Sequence, residues 1–341
     1  MRDSSLDITK GILIFLVVWG HAIQFGFGYE YGENDLYLYD YAFRAIYSFH
    51  MSLFMAISGY LFYYSNKKTF LTVVSSKLRT IAIPYLVYCT VYVLVLIPTI
   101  MHEGGVKLIL GIYENGFWFL TSVLFNCLVV SSVTLLSRNR WIVATLLLVI
   151  NWGLWFVNED YLYKTHNYMF TCFIVGYLYN VFFEQPMVFH DISLIRVFTA
   201  IAGILICAYI FKGELYVYSS GVCLIRDGKL SLHQLEIDIM RCFISFVASL
   251  CVLSLIPYTK YLKVRTKNAI CMLSRYSIGI YCLSTILLTI YYKIIGRLNI
   301  NITHNYIYPV ILASIVVWLS CIFLKYCGRK IWLNRLFLGG R

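Results

Sequence analysis

Two histidines and a few cations stand where a water-free helix bundle would make them costly. Lys10 and His21 are eleven residues apart in an otherwise apolar stretch. On one helix that spacing leaves them within about 20° of the same face and roughly 16 Å apart along the axis. Ionisable groups inside a bilayer are expensive, and function is the usual reason for keeping them. A histidine titrates near neutrality and can take the proton of an attacking hydroxyl. His21 is therefore the first catalytic candidate, with Lys10 at the rim of the same helix and Asp7 three residues before it. The competing reading has Lys10 snorkelling to the surface and His21 making a structural hydrogen bond between helices.

His50 is the second catalytic candidate. It lies ten residues after Asp40, about 15 Å deep if that stretch is one helix and so level with His21. A histidine satisfied in a helix contact would account for it as well. Ser58, Gly59 and Tyr60 follow about two turns later, and a small residue there permits close helix contact. Lys77 and Arg79 open the next apolar stretch, with Pro84 close behind. The planar fork of Arg suits bidentate phosphate binding, whereas Lys67 and Lys68 read as topological charges.

The elements that position these residues are membrane helices. The chain of 341 residues is 60% hydrophobic and 13% charged, more apolar than a soluble core of this length requires. The apolar residues come in runs long enough to cross about 30 Å of hydrocarbon. Spans are expected at 11–28, 41–64, 80–101, 117–137, 141–157, 167–184, 194–211, 237–257, 269–292 and 306–326. Each must be helical, because lipid offers no partner to an open backbone. The expected fold is an all-α polytopic bundle of about ten transmembrane helices. It forms one domain over 1–341 with no soluble appendage.

The net charge of +12 is distributed by topology. With the N-terminus inside, 19 of the 28 basic residues fall on the inner side and 12 of the 16 acids on the outer. Basic residues in short loops stay cytosolic, so both termini are expected in the cytosol. The 30 Tyr and 7 Trp fit interfacial belts, and no nucleic-acid partner is expected. The acidic, aromatic loop from Tyr29 to Tyr41 fits such a belt, or a surface on which sugars stack. The first span is too polar, with His21 and Gln24, for a cleaved signal peptide. The 11 Cys form no CxxC pair, so no metal site is expected. There is no Gly-rich phosphate loop, GxSxG elbow or HExxH, which argues against an ATPase, a classical hydrolase and a metalloprotease.

Several segments resemble the membrane acyltransferase-3 family, which includes bacterial sugar and polysaccharide O-acetyltransferases. Asp7-Ile8-Thr9-Lys10-Gly11-Ile12 and Val17-Val18-Trp19-Gly20-His21 resemble its first helix, with Arg or Lys, ten residues, then His. Ser48-Phe49-His50-Met51-Ser52-Leu53-Phe54 resembles its FHMPLFF stretch, especially in the fucose 4-O-acetylase-like branch. Ile57-Ser58-Gly59-Tyr60-Leu61-Phe62 is similar to ISGYLF, and Arg79 through Pro84-Tyr85 to R-x-x-x-I-P-Y. Phe117-Trp118-Phe119-Leu120 and Ser274-Arg275-Tyr276-Ser277-Ile278-Gly279-Ile280-Tyr281 are similar to its WFL and SxxSxGIY elements. The resemblance runs from about 5 to 327, dense in the first 120 residues and thin between 140 and 265. Ser52 replaces the usual Pro, and Ser284 stands where many members have His.

The resemblance implies a transferase in the bacterial inner membrane. It would move an acyl group, usually acetyl, from cytosolic acyl-CoA (a donor substrate, with no tightly bound cofactor) to a hydroxyl of a glycan or lipid-linked sugar. Lys10, Lys77 and Arg79 would then hold the CoA phosphates, the pantetheine arm would pass Ser58 and Tyr60, and His21, with His50, would serve the chemistry. The rival reading is a secondary transporter or flippase of a glycan or lipid precursor. It would favour paired halves, and no internal repeat is visible.

Overall fold

The computed structural model describes residues 4–27, 35–103, 105–157, 165–184, 193–226, 228–298, 302 and 305–340. In chain order the helices are α1 (Ser4–Gly26), α2 (Tyr41–Tyr47), α3 (His50–Ser65), α4 (Phe70–Lys77), α5 (Ile83–Glu103), α6 (Gly105–Asn115), α7 (Trp118–Leu136) and α8 (Arg140–Leu154). They continue with α9 (His166–Phe183), α10 (Leu194–Ile210), α11 (Val217–Ser220), α12 (Leu232–Leu255), α13 (Val264–Arg275), α14 (Ser277–Arg297), α15 (Ile307–Arg329) and α16 (Ile331–Phe337). A short antiparallel hairpin pairs Ile225 with Leu230 and Arg226 with Lys229, between α11 and α12.

This is an all-α membrane helix bundle. Among the described residues, seven helical runs are long and apolar enough to cross a bilayer: Ser5–Gly26, Tyr41–Ser65, Phe70–Met101, Trp118–Leu136, Leu232–Tyr261, Ser277–Arg297 and Ile307–Arg329. α8 and α10 are apolar but shorter, and α9 has 18 residues. A helix thus stands at each of the ten expected positions. Large apolar side chains face outward along them, including Leu94, Val149, Trp152, Phe198, Phe243 and Trp318. Exposure on that scale suits contact with lipid tails rather than water.

Two expected spans differ in detail. The stretch 41–64 is interrupted at Ser48–Phe49, where Phe49 leaves the helical region (φ −141°), and α3 begins at His50 itself. His50 is therefore the first residue of a new helix, and its depth does not follow from counting turns from Asp40. The stretch 269–292 begins inside α13, a separate helix rich in Arg, Lys and Asn. The chain turns at Tyr276, so the apolar helix starts at Ser277.

The chain divides into two compact units of interleaved segments. The first comprises residues 1–47, 79–120 and 258–341; the second comprises 48–78 and 121–257. In the first, α1 packs on α13, α14 and α15. A Cβ on Gly11 would come within 2.1 Å of the Ile270 carbonyl oxygen, so α13 can lie against α1 only where α1 has no side chain. In the second unit α3 and α9 form the most extensive contact, and each contributes a glycine to it. A Cβ on Gly59 would meet the Phe173 carbonyl oxygen at 2.0 Å, and one on Gly176 would meet that of Ala56 at 1.8 Å. Close crossing through small residues is how membrane helices gain packing energy without a hydrophobic drive.

Candidate active site

In the first unit α1 runs unbroken from Ser4 to Gly26, so the eleven-residue register of Lys10 and His21 is kept. Apolar neighbours bury the helix on its inner sides, with Leu13, Val17, Val18 and Ala22 at 2% exposure or less. Lys10 lines a cavity of about 530 Å³ with Asp7, Asn268, Cys271, Ser274 and Arg275. The Gly11–Ile270 approach brings α13 to this position. The Ser274 hydroxyl donates to Asp7 Oδ1 at 3.5 Å, tying the two helices across the cavity. One carboxylate beside two cations leaves the cavity net positive. Charge-assisted bonds to a phosphate would be strong here.

His21 lies three turns further along α1. Its Nδ1 atom is buried and has no hydrogen-bond partner among the described residues; the same holds for Trp19 Nε1 on the same helix. Buried polar atoms without partners are uncommon and costly. The ring faces Tyr281 of α14, 6.3 Å between centroids. Tyr281 in turn packs edge-on against Phe117 at 6.1 Å and Phe119 at 5.9 Å. The segments Phe117–Leu120 and Ser274–Tyr281, far apart in sequence, thus build one aromatic wall behind His21.

Arg79 belongs to the first unit. It sits in a wide helical turn over Leu78–Ala82, is exposed, and does not line the Lys10 cavity; Arg275 takes that place.

The other candidates belong to the second unit. His50 is 2% exposed at the start of α3. The Ser58 hydroxyl donates to the Phe54 carbonyl at 2.8 Å within its own helix. Tyr60 is buried against Tyr64 and Tyr179, and its carbonyl accepts from Asn180 Nδ2 at 3.1 Å. Tyr60 thus serves the α3–α9 contact, while the Ser58 hydroxyl bonds within α3. The Lys77 ammonium lies 4.9 Å from the Phe62 ring centre.

A polar cluster in this unit was not foreseen. Arg241, 2% exposed, donates from Nε to the Leu215 carbonyl (2.9 Å) and from Nη1 to the Gly221 carbonyl (3.0 Å) and Asp238 Oδ1 (2.5 Å). Its Nη2 donates to the Ser220 hydroxyl. Gln234 Nε2 also donates to Asp238 Oδ1. The guanidinium lies 5.9 Å from the Tyr168 ring centre, whose hydroxyl bonds Ser245 (2.5 Å) and Ser52 (2.6 Å). Ser52, the departure from the family's proline, thus ends a hydroxyl chain joining α3, α9 and α12.

Comparison with known proteins extends this picture. A family model described as "Acyltransferase domain" matches residues 3–325. A curated protein named nodulation protein NolL, from Sinorhizobium fredii (strain NBRC 101917 / NGR234), is 36% identical over 157 residues, covering 44% of this chain and 42% of the relative. A protein of the same name from Mesorhizobium japonicum (strain LMG 29417 / CECT 9101 / MAFF 303099) is 29% identical over 237 residues, covering 66% of this chain and 61% of the relative. The chain thus spans less than two thirds of the length of these relatives. No solved structure matches it significantly.

Proposed function

This chain belongs to the acyltransferase-3 family, and from that premise we propose that it is a membrane O-acyltransferase. It moves an acyl group, acetyl in the first instance, from cytosolic acyl-CoA to a hydroxyl of a cell-surface glycan or lipid-linked sugar. The observation that carries the reading is the α1 helix. One unbroken face bears Lys10, inside a positive cavity, and His21, whose Nδ1 is buried without a partner among the described residues.

In this reading Lys10 and Arg275 bind donor phosphates as point charge and fork, with Arg79 as a further donor contact. The sugar hydroxyl gives its proton to the His21 imidazole while its oxygen attacks the thioester carbonyl. The tetrahedral adduct then breaks its C–S bond. The departing CoA thiolate takes the proton back from the imidazolium, leaving an ester and free thiol. Tyr281 and the Phe117–Phe119 wall limit water around the ring, which protects the thioester from hydrolysis.

The same reading includes ten crossings with both termini in the cytosol of a bacterial inner membrane, from the asymmetry of basic residues. Reporter fusions at Lys67 and Lys263 should read inside, and at Lys212 outside. Mass spectrometry of surface glycans from cells with and without the gene should show loss of an acyl mass in the knockout. Intact acylation in the knockout, or an acceptor that fails to cross the membrane unmodified, would favour a transporter instead.

A further inference from the structure

The second unit has its own cavity, of about 500 Å³, at the end where α3 and α7 finish and α8 begins. Its floor is a built polar network. Asn66 Nδ2 donates to the Thr134 hydroxyl at 2.9 Å and to the Tyr177 hydroxyl at 3.2 Å, and Asn66 Oδ1 accepts from the Ser131 hydroxyl at 3.0 Å. One amide thus joins α3, α7 and α9. The rim carries Lys67 and Lys68 from the turn after α3, Arg138 from the turn between α7 and α8, and Arg140, the first residue of α8. The Asn139 side chain accepts from the Trp141 amide at 3.0 Å and fixes the start of α8. Arg140 lies 5.9 Å from the Phe182 ring centre, and Lys67 4.6 Å from that of Tyr63. Among the described residues a single carboxylate lines the cavity, Glu184, and it accepts from the Tyr63 hydroxyl at 2.9 Å.

Topology accounts for basic residues in these turns. It does not require that two turns converge on one concave site with an ordered polar floor. We propose that this cavity is a binding site for a phosphate group, separate from the cavity at Lys10. Four cations against one carboxylate match a phosphoryl group with two or more charged oxygens better than a monocarboxylate. Two guanidiniums can hold it bidentately. The exposed Leu135 lines the same cavity, which leaves room for an apolar part of a ligand beside its phosphate. An anionic lipid headgroup and a soluble phosphate ester share this chemistry.

The test uses the full chain in detergent, titrated with inorganic phosphate, adenosine 3′,5′-bisphosphate, short-chain phosphatidylglycerol and, as the zwitterionic control, short-chain phosphatidylcholine. At least one of the first three should bind saturably. The double variant Arg138→Gln/Arg140→Gln should weaken it by about tenfold or more, as loss of a charge-assisted contact predicts. Lys67→Gln/Lys68→Gln, on an exposed turn, gives an independent reading should the first variant fold poorly. Because the bisphosphate is also a fragment of CoA, each titration is repeated in Lys10→Ala, where the saturable binding weakened by Arg138→Gln/Arg140→Gln should persist. Saturable binding of phosphatidylglycerol alone identifies a lipid ligand, and binding of the soluble probes identifies a soluble one. The proposal is overturned if no anionic probe binds saturably, if the folded variants bind as wild type does, or if Lys10→Ala abolishes the binding.

Discussion

Two buried polar groups, one in each unit, are treated by the fold in opposite ways. Arg241 of the second unit is surrounded by acceptors and donates four hydrogen bonds to carbonyl, carboxylate and hydroxyl oxygens. His21 of the first unit keeps a buried Nδ1 with no partner among the described residues. A buried polar group left unpaired costs about 1–3 kcal/mol, so a fold that can satisfy Arg241 so thoroughly is not short of means. Charge alone therefore does not mark a working residue. Arg241 is the more strongly charged group, yet its bonds are all used within the protein. His21 has capacity left for a molecule that arrives later.

Six substitutions bear on this contrast. The largest effect on stability is expected from Arg241→Ala, which strands Asp238 in the interior. Breaking a buried pair by removing one partner costs about 3–5 kcal/mol, read as a lower unfolding temperature in detergent, while transfer per folded molecule stays near wild type. A catalytic loss per folded molecule would make the Arg241 cluster part of the machinery and erase the contrast. Gly176→Val is expected to cost about 1–3 kcal/mol by overpacking, because its Cβ would overlap the Ala56 carbonyl oxygen. Gly153→Ala, where a Cβ meets nothing within 4 Å, should be neutral or stabilising by up to about 1 kcal/mol. Equal destabilisation at both sites would mean that the α3–α9 crossing is not the tight contact described.

On the first-unit side, Lys10→Ala should raise the KM for acyl-CoA about tenfold and leave kcat nearly unchanged, since a phosphate contact acts in ground and transition states alike. An unchanged KM would reduce Lys10 to a topological charge. Arg275→Ala should behave the same way. A small loss of stability is expected for Tyr168→Phe, which removes both hydroxyl bonds of the Ser52–Tyr168–Ser245 chain. Hydrogen bonds between membrane helices average about 0.6 kcal/mol, so unfolding should shift only slightly. A loss of several kcal/mol would show that this chain, rather than the Arg241 pair, holds the second unit together.

Much of this was legible in the sequence, and what was not has physical reasons. Long apolar runs declare membrane helices because hydrocarbon thickness sets their length. Lys10 and His21 could be placed on one face because α1 has no interruption. The break at Ser48–Phe49 was hidden, since neither residue is a Gly or Pro that would announce it. The turn at Tyr276 was hidden in the same way, and it moved Arg275 from an expected span into the helix that faces Lys10. Tyr281 could not be assigned to His21 because 260 residues separate them and only the packing of α14 on α1 joins them. The Tyr168 chain likewise joins hydroxyls 116 and 77 residues apart, which no local pattern encodes.

The role proposed for His21 as general base is tested most directly by transfer per folded molecule for His21→Ala and His21→Gln beside wild type. Folded protein is counted by its unfolding transition, and transfer by the label moved from acyl-CoA to acceptor. A general base contributes about 10² to 10⁴ in rate, so both variants should insert and fold normally and lose transfer by that factor. Gln, which can hydrogen-bond but cannot carry the proton, should fare no better than Ala. Turnover near wild type in either variant, or activity that falls only in proportion to folded protein, would show that His21 bridges helices and that the proton is taken elsewhere.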